Sequence, residues 1–192
     1  MKLILATKNK HKAEEITAIL GGGFEVITQT EAGVDVDVLE DGDTFEANAI
    51  KKAVTTMNLT GLPTIADDSG LVVEALGGLP GVKTARYAGE DATDGQNIDK
   101  LLHEMQEVPA YKRGAKFVCV VALANPDGTV KTFCGECHGT ILSERTGSGG
   151  FGYDPVFLSR EYAKSMAQLE PHIKNAISHR GKAVRKLAEV LQ

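Results

Sequence analysis

The sequence lacks a long apolar run, an excess of basic residues and a set of cysteines that could pair completely. No apolar stretch approaches the ~20 residues that a membrane-spanning helix requires. The apolar run near the N-terminus is also far shorter than that of a secretory signal, so we expect a cytoplasmic protein. The net charge of -5 argues against binding of nucleic acid in bulk, which usually needs a basic face. A small anionic ligand in a locally basic pocket is compatible with that charge.

The three cysteines are an odd number, so we expect no disulfide framework. Two of them lie in Cys134-Gly-Glu-Cys137-His138, which matches both the haem-attachment pattern and the dithiol redox pattern. Haem attachment normally requires export, and a redox cysteine needs the N-terminus of a helix. The segment is instead typical of the second strand of a hairpin, and Cys119 would complete a zinc site poorly. We therefore interpret the motif as accidental.

Short apolar runs and helical patterns alternate along the 192 residues, a length that allows one domain with a sizeable core. Residues 2–6 predict a strand that leads directly into a helix over 11–20. The continuous apolar run over 116–124 is typical of a strand covered on both faces. An Asn-Pro-Asp-Gly turn follows it, so we expect a hairpin over 116–138.

Further helices are predicted to begin at Asp43, near residue 94 and at Ser178. Together these elements predict an α/β fold with a mixed central sheet flanked by helices, in one domain over 1–192. The order of the strands does not follow from the pattern.

A basic segment, Thr-Lys-Asn-Lys-His-Lys over 7–12, follows the first strand directly and opens the first helix. Its side-chain donors and the positive end of the helix would meet at one point, which suits a phosphate group. A solvated first turn of a surface helix is the alternative, although lysines there oppose the helix dipole unless an anion offsets them. The candidates for phosphate binding are Thr7, Lys8, Asn9, Lys10, His11 and Lys12.

Two adjacent aspartates, Asp67 and Asp68, follow a short predicted strand over 63–66. Neighbouring residues of an extended chain point to opposite sides, so only one aspartate can face a given site. A simple turn over 67–70 is the alternative. The acidic cluster over 40–46 is typical of a helix start, but it could supply a second carboxylate for Mg²⁺. With the basic segment, these groups suit metal-assisted attack on a polyphosphate.

A glycine-rich loop over 147–155 reads Gly-Ser-Gly-Gly-Phe-Gly-Tyr-Asp-Pro. Aromatic rings stack on nucleobases and an aspartate accepts from base N–H groups, so we favour base recognition over a merely flexible loop. The P-loop motif G-x-x-x-x-G-K-[ST] does not occur in the sequence, which argues against phosphate binding by this loop. At the terminal helix Ser178 would be the N-cap, and Lys174, His179 and Arg180 would reach outward to a ligand or to solvent.

Several segments occur in a distinctive order. They are Thr7-x-Asn9-x-x-Lys12, Glu40-Asp-Gly-x-Thr-Phe-x-x-Asn48-Ala, Ala66-Asp-Asp-Ser-Gly70, Gly77-Gly-Leu-Pro-Gly81, Ala85-Arg-Tyr-Ala-Gly89, Gly149-Gly-Phe-Gly-Tyr-Asp-Pro155 and Lys174-Asn-Ala-Ile-Ser-His-Arg-Gly-Lys182. In this order they resemble the inosine/xanthosine triphosphate pyrophosphatase family (Ham1-like). The resemblance extends from residue 2 to the terminal helix.

The resemblance implies hydrolysis of ITP, dITP and XTP to the monophosphate and pyrophosphate with Mg²⁺, in a cytoplasmic homodimer. It also implies a two-lobed domain with the active site in the cleft between the lobes. By position, Asp68 would be the catalytic base and a metal ligand, Glu40 the second metal ligand and Ser69 a substrate contact. The other substrate-binding residues that it implies are Thr7, Lys8, Asn9, Lys10, His11, Lys12, Phe151, Gly152, Tyr153, Asp154, Lys174, His179 and Arg180.

Two positions depart from the family pattern and affect the expected substrate preference. Lys83 stands where an aromatic residue is more frequent, and His172-Ile173 stands where acidic residues are usual. One alternative function is a Maf-type nucleotide pyrophosphatase, against which the aromatic loop and the Ser-His-Arg helix start both count. The other is a nucleotide-binding or RNA-binding module without catalysis, against which the pair Glu40 and Asp68 counts.

Overall fold

The structure, a computed structural model, describes residues 2–191. Its strands are β1 (Lys2–Leu5), β2 (Glu25–Thr28), β3 (Thr64–Val73), β4 (Gly114–Ala124), β5 (Val130–Ile141) and β6 (Phe157–Ser159). Its α-helices are α1 (Lys10–Leu20), α2 (Phe45–Thr60), α3 (Asp94–Glu104), α4 (Pro171–Ile177) and α5 (His179–Leu191). Short 3-10 turns lie between them.

The strands form one sheet in the order β2-β1-β3-β4-β5-β6. Strand β1 pairs in parallel with β2 and with β3, whereas β5 and β6 are antiparallel. The sheet is therefore mixed, and the predicted α/β fold with flanking helices is confirmed.

The chain divides into two compact units, of which the first contains 2–68, 119–135 and 179–191 of the described residues. Its strands are covered on both faces because alternate residues point to opposite sides. On one face Leu5 and Ile65 pack with apolar residues of α1 and α5. On the other face Ala66 packs with Ala49 and Ala53 of α2. The prediction that the strand over 116–124 is covered on both faces agrees with this arrangement.

The second unit contains Ser69–Val118 and Glu136–Ser178. Its core packs Leu71 and Phe117 of the strands against Leu101 of α3 and against Phe157. Arg113 is buried beside this core, and its guanidinium donates to the carbonyl oxygens of residues at the end of α3 and of β5. The core of this unit is therefore stabilised by hydrogen bonds from a buried guanidinium to backbone carbonyl oxygens as well as by apolar contacts.

Two local predictions were wrong. Strand β3 continues to Val73, so the segment 67–70 is extended and is neither a strand end nor a turn. Helix α2 is capped by Thr44, whose Oγ1 accepts from the backbone N of Ala47 at 3.1 Å, and not by Asp43. Asp67 and Asp68 have partners on opposite faces of the sheet, and these partners favour a continuous strand over a turn.

The cysteines Cys119, Cys134 and Cys137 are all free. Cys134 is exposed and Cys137 is buried, because residues three apart on β5 point to opposite faces. The expectation of no disulfide agrees with this placement, and the interpretation of the Cys134–His138 motif as accidental stays a prediction. Among residues 2–191 no helix combines the length and the apolar character that crossing a membrane would need.

Candidate active site

The basic segment is ordered by its own side chains at the start of α1. Asn9 is the N-cap, and its Oδ1 accepts from the backbone N of Lys12 at 3.2 Å. The hydroxyl of Thr7 in turn accepts from the backbone N of Asn9 at 3.2 Å. The helix has no acidic residue in its first turn, so that turn itself supplies no carboxylate to offset the positive end of the helix.

The lysines of this segment have different surroundings. The exposed Lys8 Nζ lies 2.8 Å from Asp35 and 3.1 Å from Asp37. Lys10 and His11 are also exposed. The Lys12 side chain is less exposed, and its Nζ lies 3.1 Å from the Oδ2 atom of the buried Asp67. Lys12 is therefore the member of the segment that connects the helix start to buried charge.

Asp67 is the centre of a buried charge cluster. Its side chain is 1% exposed, and its Oδ2 lies near both Lys12 and the Nη2 of Arg180, the latter at 3.2 Å. Arg180 Nη1 donates to Glu15 Oε2 at 2.5 Å. Burial alone would raise the pKa of Asp67, but Lys12 and Arg180 together lower it. Asp67 is thus held as a carboxylate, and Arg180 connects α1, β3 and α5.

The expectation that Lys174, His179 and Arg180 would reach outward was wrong, since all three are buried. Helix α5 lies close to β5 at Gly135, where a Cβ atom would overlap the carbonyl oxygen of His179. The first turn of α5 therefore lies against β5 within the first unit. The predicted role of Arg180 in substrate binding stays a prediction, and the contacts seen here are to Asp67 and Glu15.

Asp68 faces α2 and is held by an amide. Asn48 Nδ2 donates to Asp68 Oδ2 at 3.0 Å, while Asn48 Oδ1 accepts from the backbone N of Gly42 at 2.8 Å. The other carboxylate oxygen, Oδ1, lies 3.8 Å from Lys52 Nζ. Lys52 is one helical turn after Asn48, so both side chains lie on the same face of α2. The two residues therefore fix which oxygen of Asp68 points to which partner.

Lys52 also donates to Glu40 Oε1, so a single ammonium group contacts both carboxylates. Burial opposes the charge of Lys52, but Asp67, Asp68 and Glu40 raise its pKa overall. Burial raises the pKa of Asp68, and Glu40 adds to that effect, while Lys52 partly offsets it. The group at Asp68 is thus a carboxylate with more affinity for a proton than an exposed aspartate has.

Glu40 and Asp68 are the residues that fit a metal ion. Their oxygens converge closely enough for one cation, Lys52, to contact both. Within the described part of the chain, no group of three or more His, Cys, Asp or Glu residues could hold a metal. A pair of carboxylates is nonetheless what Mg²⁺ commonly uses when substrate phosphates complete its coordination.

The glycine-rich loop of the second unit is held by Asp154. The backbone N of Phe151 donates to Asp154 Oδ2 at 2.9 Å, and Lys174 Nζ lies 2.5 Å from the same oxygen. Lys174 Nζ also lies 4.7 Å from the centre of the Phe151 ring. Gly150 has φ +72°, and a Cβ there would overlap the Asp154 carboxylate. A buried ion pair under a partly exposed aromatic ring results.

The two aromatic rings of this loop differ in exposure. Tyr153 is buried in the core, and its hydroxyl donates to the carbonyl oxygen of Thr84 at 2.8 Å. Phe151 is partly exposed, and the backbone N of the adjacent Gly152 donates to Asp94 Oδ2 at 2.7 Å. Of the two rings, that of Phe151 is the one placed to contact a ligand.

Lys52, Asn48 and Glu15 were not among the predicted site residues. Asn48 lies in the Glu40–Ala49 motif, and Lys52 follows it by four residues, which places the two on one helix face. That spacing was a usable signal. Glu15 had none, because its partner Arg180 lies 165 residues away in the sequence.

A mixed α/β sheet with buried carboxylates beside lysines suits a protein that acts on phosphorylated ligands. A sequence model of the Ham1 family matches residues 3–190. The chain therefore belongs to the Ham1 family, and the resemblance inferred from its motifs is confirmed.

Full-length relatives and solved structures agree with this assignment. The dITP/XTP pyrophosphatase of Geobacter sulfurreducens is 51% identical over 191 residues, which cover 99% of this chain and 96% of that protein. The protein of the same name in Salmonella typhimurium is 47% identical over 194 residues, covering 100% of this chain and 98% of that one. A HAM1 protein from Coxiella burnetii superposes with a TM-score of 0.90 at 42% identity, covering 100% of this chain and 98% of that chain.

Proposed function

We propose that this chain hydrolyses the non-canonical purine nucleoside triphosphates dITP, ITP and XTP to the monophosphate and pyrophosphate. The observation that carries the proposal is the convergence of Glu40 and Asp68 on one cationic position. It occurs in a chain that is 51% identical over nearly its whole length to a protein named dITP/XTP pyrophosphatase.

Asp68 is proposed to be the general base. Its Oδ2 is held by Asn48, which fixes the orientation of the carboxylate that would take a proton from the attacking water. The water oxygen then bonds to phosphorus, the α–β phosphoanhydride bond breaks, and pyrophosphate leaves with the bridging oxygen. A raised pKa makes the carboxylate a better proton acceptor, which suits this role.

The phosphates are proposed to bind at the start of α1. Lys12 and the backbone N–H groups of the first turn would contact them, with Thr7 and Asn9 shaping the loop. Mg²⁺ held by Glu40 and Asp68 would offset negative charge on the phosphoryl oxygens. Lys8, Lys10, His11 and Ser69 stay proposed substrate contacts by their position in the motifs.

Phe151, Asp154 and Lys174 are proposed to recognise the base. The ring of Phe151 would stack on the purine, and the buried ion pair beneath it would keep that ring in place. His179 is proposed to donate to the 6-oxo group of the purine. Gly152 and Tyr153 would contribute through the shape of the loop.

A cytoplasmic homodimer that depends on Mg²⁺ is proposed from the family resemblance. Of the alternatives, neither a Maf-type enzyme nor a binding module without catalysis is favoured by the relatives named above. The identity of the direct product tests the proposal. With dITP and Mg²⁺ we expect pyrophosphate and dIMP as the direct products, whereas release of orthophosphate and dIDP would refute the proposal.

A further inference from the structure

Lys52 occupies the position between the two carboxylates that are proposed to hold the metal. Its Nζ donates to Glu40 Oε1 and lies 3.8 Å from Asp68 Oδ1. The side chain is only 13% exposed, so in this position the ammonium is largely shielded from solvent. We propose that Lys52 and a divalent cation compete for these oxygens, so that metal binding displaces Lys52 from the carboxylate pair.

The competition follows from distance and charge. Mg²⁺ binds carboxylate oxygens at about 2.0–2.1 Å. This distance is shorter than the 3.8 Å that separates Lys52 Nζ from Asp68 Oδ1. An ammonium and a divalent cation cannot share that space, because like charges at such a separation repel strongly in a partly buried site. Lys52 must therefore leave Glu40, Asp68 or both when the metal binds.

Asn48 makes the exchange possible without rearrangement of Asp68. It holds Oδ2 at 3.0 Å while Oδ1 faces Lys52, so the same oxygen can face either cation in turn. The ammonium group of Lys52 lies at the end of a flexible side chain. Asn48, in contrast, is buried, and it also accepts a hydrogen bond from the backbone N of Gly42. The ammonium is thus the movable part of the site and the carboxylate the fixed part.

The consequence is that Lys52 weakens metal binding by the protein alone. A metal that arrives already bound to the substrate phosphates brings negative charge with it, and the displaced Lys52 then has an anion to pair with. Metal and nucleotide would therefore bind cooperatively. This inference rests on the proposed function, which is what assigns a metal to Glu40 and Asp68.

The test measures Mn²⁺ binding to the nucleotide-free protein by electron paramagnetic resonance. Lys52→Met should bind Mn²⁺ about 10-fold or more tightly than the wild type, because a like charge within about 4–6 Å shifts cation binding by a unit or more on a logarithmic scale. Lys51→Met is the matched control. Lys51 is the next residue of α2 and pairs with the exposed Asp41, so its loss should change affinity about 2-fold or less.

Equal effects of the two substitutions would overturn the inference, since a general loss of positive charge would then explain both. Lys52→Arg keeps the charge and should bind Mn²⁺ as weakly as the wild type. Affinity in this variant as high as in Lys52→Met would also overturn it.

A second measurement uses the wild type and does not depend on the folding of a variant. In a Mg²⁺ titration followed by NMR, the ε-methylene signal of Lys52 should move with metal saturation while that of Lys51 stays in place. A Lys52 signal unaffected by bound Mg²⁺ would overturn the inference. Because no nucleotide is present in either experiment, these outcomes are independent of pyrophosphate release, which tests the proposed function separately.

Discussion

Asp67 and Asp68 are neighbours in strand β3, yet their carboxylates lie on opposite faces of the sheet. Asp67 lies between Lys12 and Arg180, on the face covered by α1 and α5. Asp68 accepts from Asn48 on the face covered by α2. The pKa of Asp67 is lowered by its cations, despite burial, and burial raises the pKa of Asp68. One aspartate is therefore a fixed charge and the other a group that can exchange a proton.

Asp68→Asn should abolish most turnover while preserving nucleotide binding. An amide keeps the shape and the contact to Asn48 but cannot take a proton, so kcat for dITP should fall about 10²- to 10⁴-fold. Steady-state kinetics and calorimetric titration with dITP would measure the two effects. Asp41→Asn, an exposed position paired with Lys51, is the control. Near wild-type turnover in Asp68→Asn would show that the base is another group.

Asp67→Asn should destabilise the fold. It would leave Lys12 and Arg180 close together with Glu15 as the remaining carboxylate of the cluster, and breaking a buried pair in this way costs about 3–5 kcal/mol. Urea unfolding at neutral pH would measure the loss. The exposed Asp37→Asn should change the free energy of unfolding by about 0.5 kcal/mol or less. An unfolding midpoint of Asp67→Asn equal to that of Asp37→Asn would contradict the account.

The same cluster gives stability a defined dependence on pH. The folded-state pKa of Asp67 lies below the unfolded value of about 3.9, so its contribution is fully present above that value. It is lost as the pH falls through the folded-state pKa. The difference in stability between the wild type and Asp67→Asn should therefore be constant near neutrality and narrow in strong acid.

Gly42→Ala should reduce activity by disturbing Asn48. A Cβ at Gly42 would lie 2.7 Å from Asn48 Oδ1, so the amide would move and with it the orientation of Asp68. Small displacements of a catalytic group cost about 10- to 100-fold in rate. At Gly23 a Cβ would meet no atom within 4 Å, which makes Gly23→Ala the matched control. Equal kcat values for the two variants would show that Gly42 does not control the orientation of Asn48 and Asp68.

Lys12→Ala should raise KM for dITP by about 10- to 100-fold, the effect of losing one hydrogen bond from a charged donor to a charged acceptor. Loss of Lys12 also removes one partner of Asp67, so the unfolding free energy should be measured alongside the kinetics. Lys51→Ala removes a lysine that pairs with the exposed Asp41 and should leave KM unchanged. Unchanged KM in Lys12→Ala would exclude the α1 start from phosphate binding.

Much of this architecture could be predicted from local patterns. The strand before 7–12, the helix behind it and the hairpin over 116–138 all follow from periodicity and turn signals. The opposite orientation of Asp67 and Asp68 follows from the two-residue period of a strand. These features depend on residues near one another in the sequence, where the pattern carries the information.

The features that could not be predicted depend on distant partners. Arg180 resembles an exposed helix-start cation until its position against Asp67 and Glu15 is known. Whether 67–70 forms a turn or a strand depends on whether both aspartates find partners across the sheet. Contacts over more than 100 residues of sequence leave no periodic signal, so burial of these charges appears only in the structure.

The most direct test of the account is the specificity of pyrophosphate release. With Mg²⁺, kcat/KM for dITP should exceed that for dATP on the order of 10²-fold or more, because a site that hydrogen-bonds a 6-oxo group rejects a 6-amino group. Pyrophosphate should be the direct product with dITP. Equal kcat/KM for dITP and dATP, or orthophosphate as the direct product, would contradict the assignment of this chain as a non-canonical purine triphosphate pyrophosphatase.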